Sequence, residues 1–277
     1  MESSPSKAPE RAMSFLAAAG LTIGARLVLD LLRELAEAVR PGAVGDIVTY
    51  AGAFAVAHLV FVFLVLRVYA PESSVRDVLG LRRTSPALYV LAPLAGAAMY
   101  PPLARLDSIV GRRFPTTQEE QDLADKLIDT STHGSRLALF VALVLVVPIA
   151  CELFFRGAIF GRLRRERTEG VTVFAASAYF VLESFDPRSM ASLLVLGAVL
   201  SLVRARSGST IPSLLLHAAF FAAPIAPSLR GAPVVDDAAW SPKWVIAGAI
   251  TATLSLLASL VLASRSPAAQ AARSRDA

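Results

Sequence analysis

VPIACELFFRGAIFG, from Val147 to Gly161, places a glutamate and an arginine four residues apart inside an apolar run, with aromatic side chains between them. An ionisable side chain at bilayer depth costs several kcal/mol unless it is paired or lines a polar cavity, so Glu152 and Arg156 mark a candidate functional site. Their i, i+4 spacing puts both on one face of a helix, where they can pair. The alternative reading of the same spacing is an internal ion pair that locks one helix against its neighbours.

The rest of the chain is of the same character. Of 277 residues, 55% are hydrophobic, and the mean hydropathy is +0.58. Apolar runs of about 20 residues recur along its length, each enough to cross a bilayer as a helix. The fold class is therefore all-α, a polytopic membrane bundle of about eight transmembrane helices. No polar stretch is long enough for a soluble domain with its own core. The net charge of +5 comes from arginine in the loops, which is the pattern of cytoplasmic loops rather than of a nucleic-acid surface. Cys151 is the single cysteine, so no intramolecular disulfide exists. His58, His133 and His217 are too scattered for a metal motif within one helix.

In chain order, residues 1–12 read as a disordered cytoplasmic N-terminus, 13–263 as one helical membrane domain and 264–277 as a disordered tail. The first span runs from about Met13 to Val39 and carries Arg26, Asp30 and Arg33 on one face, which either packs inward or lies in the interface. The second is Ile47–Leu66, with His58 as an interhelical hydrogen-bonding residue. The third, Ala87–Leu106, ends near Pro101-Pro102. The following polar connection holds TTQEEQDLADKLIDT, a short surface helix opened by a capping-box-like Thr and Glu. The fourth span is Leu137–Phe160, the fifth Val171–Phe185, the sixth Met190–Val203, the seventh Ile211–Ile225 and the eighth Trp244–Leu262. A linker rich in Pro, Gly and Asp precedes the last. Counting Lys and Arg in the loops places both termini in the cytoplasm. At about 1.5 Å per residue, Glu152, Ser184 and His217 reach similar mid-membrane depth, as a buried site requires.

Three stretches in order, CELFFR (Cys151–Arg156), FVLES (Phe180–Ser184) and HAAFF (His217–Phe221), resemble the CAAX-protease and bacteriocin-processing family of intramembrane proteases. The family pattern is EExxxR, then FxxxH, then HxxxN or HxxxD. The connector GAVLSLVRARSGSTIPSLLLHA follows the family layout as well, and the resemblance covers about 137–224. It implies that a first glutamate activates water, and that two histidines and an Asn or Asp hold a metal or shape the oxyanion region. In this chain those positions are Cys151, Ser184, His217 and Phe221, so only His217 is kept, beside the intact Glu152 and Arg156. A phenyl ring neither donates nor accepts a hydrogen bond, and one histidine cannot make a three-ligand metal centre. No cofactor and no metal are expected.

Three functions stay open at this point. One is a catalytically impaired protease fold whose cavity binds a peptide, lipid or partner membrane protein. A second is a working endopeptidase with a non-standard site. There Cys151 would be the nucleophile with His217 as base, or Glu152 and Glu183 would supply acid and base. The third is a membrane carrier, which no inverted repeat supports. The expected partners are the lipid bilayer and a peptide or membrane protein. Glu183 is expected to point about 100° away from Ser184 on a helix.

Overall fold

A computed structural model describes residues 11–234 and 240–264. The helices that matter are α1 (Phe15–Val39), α2 (Ile47–Tyr69), α3 (Leu88–Gly111), α4 (Gln118–Leu127), α5 (His133–Leu163), α6 (Glu169–Ser184), α7 (Met190–Ser207), α8 (Thr210–Ile225) and α9 (Pro242–Ser264). No strand occurs among the described residues. Each of the eight expected spans is met by a helix. Six of these helices, α1, α2, α5, α7, α8 with the turn that follows it, and α9, are long and apolar enough to cross a membrane. The other two are α3 and α6, and α6 has only 16 residues. The expected tails fall mostly outside the described residues. Within the first of them, Arg11 donates its N–H to the Tyr69 carbonyl at 3.0 Å.

The outer surface of the bundle is apolar as well as its core, and the few buried charged groups are gathered inside. Leu27, Leu31, Val60, Phe63, Phe174 and Leu254 are exposed, whereas Glu152, Arg156, His58 and His217 are buried. In lipid the apolar surface needs no cover, and polar groups must be satisfied within the protein. The polar face of α1 accordingly packs inward. Arg26 pairs with Asp30 at 2.8 Å and donates to the Glu183 carbonyl at 3.2 Å, and Arg33 reaches the Val44 carbonyl at 3.2 Å.

Local sequence explains the helix boundaries in most places. Asp46 accepts from Val48 N–H to start α2, and the expected capping box of Thr117 and Glu120 starts α4. Gly208 closes α7 at a φ of 66°, a left-handed conformation that side-chain-bearing residues avoid. The Ser-Thr pair after it is then pinned to the loop before α3, with Ser209 Oγ donating to the Arg82 carbonyl and Thr210 Oγ1 to that of Leu79, both at 2.6 Å.

One boundary departs from expectation. Pro101-Pro102 does not end α3, which continues to Gly111. A proline removes the hydrogen bond to the carbonyl four residues back, here at Ala97 and Ala98. Gly248 of α9 lies so close to the Ala98 carbonyl that a Cβ there would come within 2.6 Å of it. Helix packing holds the interrupted turn in place of the missing bonds.

Farther up the same helix, Gly96 faces the Leu216 carbonyl of α8, one residue before His217. A Cβ at Gly96 would overlap that oxygen and lie 2.8 Å from its carbon. We expect Gly96→Ala to lower stability by about 1–3 kcal/mol through overpacking. Gly52→Ala, with nothing within 4 Å, should be neutral or stabilising by up to about 1 kcal/mol. Chemical unfolding in detergent micelles checks this, and equal effects of the two variants would contradict it.

Candidate functional site

The centre of the site is on α5, whose ladder is irregular on both sides of Glu152. It takes π-helical turns over Val141–Val146 and Leu153–Ile159. Single π turns commonly mark functional positions because they re-aim side chains and free carbonyls. Here the Arg156 carbonyl accepts from Arg204 Nε of α7 at 3.1 Å, and the Gly157 position is packed against Leu79.

Glu152 and Arg156 form the pair that their spacing suggests. Arg156 Nη1 donates to Glu152 Oε1 at 3.0 Å, and both side chains are fully buried. Arg156 Nη2 donates to the Gly197 carbonyl on α7 at 3.0 Å, and the guanidinium lies 4.6 Å from the Phe180 ring centroid on α6. One arginine thereby ties three helices together. The same Glu152 oxygen receives His217 Nδ1 at 3.0 Å. A carboxylate only accepts, so Nδ1 carries the ring proton, and Nε2 of a neutral ring is left with its lone pair.

A cavity of about 150 Å³ lies in front of this network, walled by α1, α2, α5, α6, α7 and α8. Cys151, His217, Glu183, Ser184 and Phe221 line it, with Arg26 on the α1 side. Glu152 and Arg156 are not among its lining residues. They stand behind the wall, where they fix the orientation of His217.

Ser184 and Phe221 occupy positions where the family pattern has polar ligands, and each is turned to another use. Ser184 Oγ donates to the Val181 carbonyl of its own helix at 2.9 Å. The Phe221 ring centroid lies 5.3 Å from that of His217, tilted by 32°. Glu183 and Ser184, adjacent in the last turn of α6, both line the cavity. The helix ends there, with Phe185 left-handed at φ 49°.

A residue outside every quoted motif completes the site. His58 of α2 is fully buried and brings Nε2 to within 2.8 Å of Glu183 Oε1. A histidine in the middle of an apolar span was the only sequence signal for it, and no local pattern names a partner on another helix.

Cys151, Glu152 and His217 are also the one cluster of metal-ligand types among the described residues, their ligand atoms within 4.8 Å of one another. The donor chemistry fits a cation poorly. Glu152 Oε1 and His217 Nδ1 are already engaged with each other, and the Arg156 guanidinium adds a positive charge at 3.0 Å. Ser184 and Phe221 supply none of the remaining ligands that the family pattern would use.

Removing one partner from a buried charge network leaves the other uncompensated, at a cost of about 3–5 kcal/mol. Arg156→Met should therefore destabilise the protein by about that much, and the double variant Glu152→Gln, Arg156→Met should recover most of the loss. Unfolding in micelles measures both. An Arg156→Met protein as stable as wild type would show that the network contributes nothing.

Residues 133–223 match the family model described as type II CAAX prenyl endopeptidase Rce1-like. This third of the chain contains all three motifs and the wall formed by α5, α6, α7 and most of α8. No curated protein matches the chain, and no solved structure does. Residues 133–223 of this polytopic helical chain are thus similar to the type II CAAX prenyl endopeptidases of the Rce1-like family.

Proposed function

We propose that this chain binds a short peptide segment of a membrane-delivered protein in its cavity, and that the water-activating set usual for the family has been dismantled. The observation that carries this reading is the Phe221 ring set against His217. It replaces a hydrogen-bonding group with an apolar wall beside the one imidazole that is kept. The cavity suits a small occupant. At about 150 Å³ it is the size of an engineered cavity that takes up benzene, and smaller than the roughly 300 Å³ at which ligand pockets begin. One peptide unit with its side chain fits. A prenyl chain does not, and in a prenylated peptide it would lie along the lipid-facing helices.

A second reading rests on a different observation. Cys151 lies beside a histidine whose Nδ1–H is held by a carboxylate, and such an arrangement orients a base toward a nucleophile. The two readings separate on thiol chemistry. Cys151 is 2% exposed, so the binding reading expects iodoacetamide to modify it only after denaturation. Rapid labelling of the folded protein, slowed by His217→Ala, would favour the nucleophile. Binding itself is tested with a dye-labelled peptide ending in an S-farnesyl-cysteinyl tripeptide, titrated into the protein in lipid vesicles. Saturable binding abolished by Leu193→Trp, which fills the cavity, is expected. Binding unaffected by that variant would place the peptide elsewhere.

A further inference from the structure

α4 is held by its two ends. None of its 10 residues is buried, so no core contact places it. At its start, Arg188 of the loop between α6 and α7 reaches across. Nη1 donates to Thr116 Oγ1 at 3.0 Å and to Glu120 Oε2 at 3.2 Å, and Nη2 donates to Glu120 Oε1 at 3.3 Å. Its Nε donates to Asp186 Oδ1 at 2.8 Å, which keeps the guanidinium aimed at α4. At the other end, the stem of Lys126 lies on Gly45, in the turn between α1 and α2. A Cβ there would meet Lys126 Cβ at 3.1 Å and its Cδ at 3.3 Å. Leu123 and Leu127 are half-buried, whereas Asp122 and Asp125 are exposed, so the apolar stripe of α4 faces the bundle.

The two anchors belong to different walls of the cavity. Leu29 of α1 and Tyr50 of α2 line one wall, and Ser184 at the end of α6 and Leu193 near the start of α7 line another. Gly45 lies in the turn that joins the first two helices, and Arg188 in the loop that joins the second two. A helix advances about 9 Å over the six residues from Glu120 to Lys126, and α4 bridges the two connections across that distance. Both anchors are easily released. The Glu120 side chain is 50% exposed in its ion pair, where solvent and salt screen the attraction. A segment with few buried contacts opens at low free energy. The capping box of Thr117 and Glu120 starts the helix from its own residues, so α4 keeps its shape when it moves.

We propose that α4 is a strap across the end of the cavity, which swings away as a rigid helix when Arg188 releases Glu120 and closes again over the occupant. The proposal rests on the reading that the cavity takes a peptide segment. No residue of α4 lines the cavity, so the strap does not grip the occupant. It sets the rates of entry and exit together and leaves the affinity as it is.

The test uses the full chain in lipid vesicles with the same dye-labelled farnesylated peptide, its association and dissociation followed by fluorescence anisotropy. In Gly45→Cys, Lys126→Cys the two Cβ atoms stand close to the separation of about 3.5–4.5 Å that a disulfide takes. Mass spectrometry of the linked peptide confirms the bond. Oxidation should slow association and dissociation alike, by about 10-fold or more for a gate that can no longer open, and a reductant should restore both. Glu120→Gln keeps a capping-box residue at its position and removes the charge. It should speed both rates by about 2- to 5-fold, the worth of an exposed ion pair, at unchanged Kd. Rates in the oxidised protein equal to those in the reduced one would overturn the strap and leave the peptide-binding reading standing. So would a weaker Kd at an unchanged association rate, which marks a contact with the peptide rather than a gate. Absence of binding by wild type would remove both.

Discussion

The energetic cost of an unpaired charge in a membrane interior organises this molecule. Arg156 is fully buried, so its charge has to be neutralised, and Glu152 does so at 3.0 Å. The guanidinium also donates to a carbonyl on α7 and lies on an aromatic face of α6. Glu152 in turn has a second donor in His217 of α8. Four helices are thereby registered against one another by one charge pair and its neighbours. Apolar packing alone provides no such register, because in lipid the outer faces of these helices are as apolar as their contacts.

The network separates two jobs that the motif combines. Glu152 and Arg156 lie behind the cavity wall, and the groups in front of them, Cys151, His217, Ser184 and Phe221, are where this chain departs from the family pattern. Conversion of the front face does not disturb the network, which explains how the fold survives with those positions replaced. The His58–Glu183 pair stands on the same cavity from the other direction, contributed by α2 and the end of α6. It obeys the same rule of buried charge as the Glu152 network, but its Glu183 faces the cavity.

Much of this was legible in the sequence. Hydropathy gave the helices within a few residues, and the Glu–Arg spacing with the motifs that follow gave the segment that matches the family model. What escaped depended on long-range packing. Pro101-Pro102 signals a helix end by a local rule, but contact with α9 overrides it. The pairing of His58 with Glu183 has no local signature at all, since the two residues share no helix and no repeat. It becomes visible only when α2 and α6 are placed side by side.

The most direct measurement of the central claim, that this cavity takes up a peptide segment, is the titration of the dye-labelled farnesylated peptide into wild type and into Leu193→Trp in lipid vesicles. The account predicts saturable binding to wild type and none to the variant. Equal binding by the variant, or no binding by wild type, would contradict it.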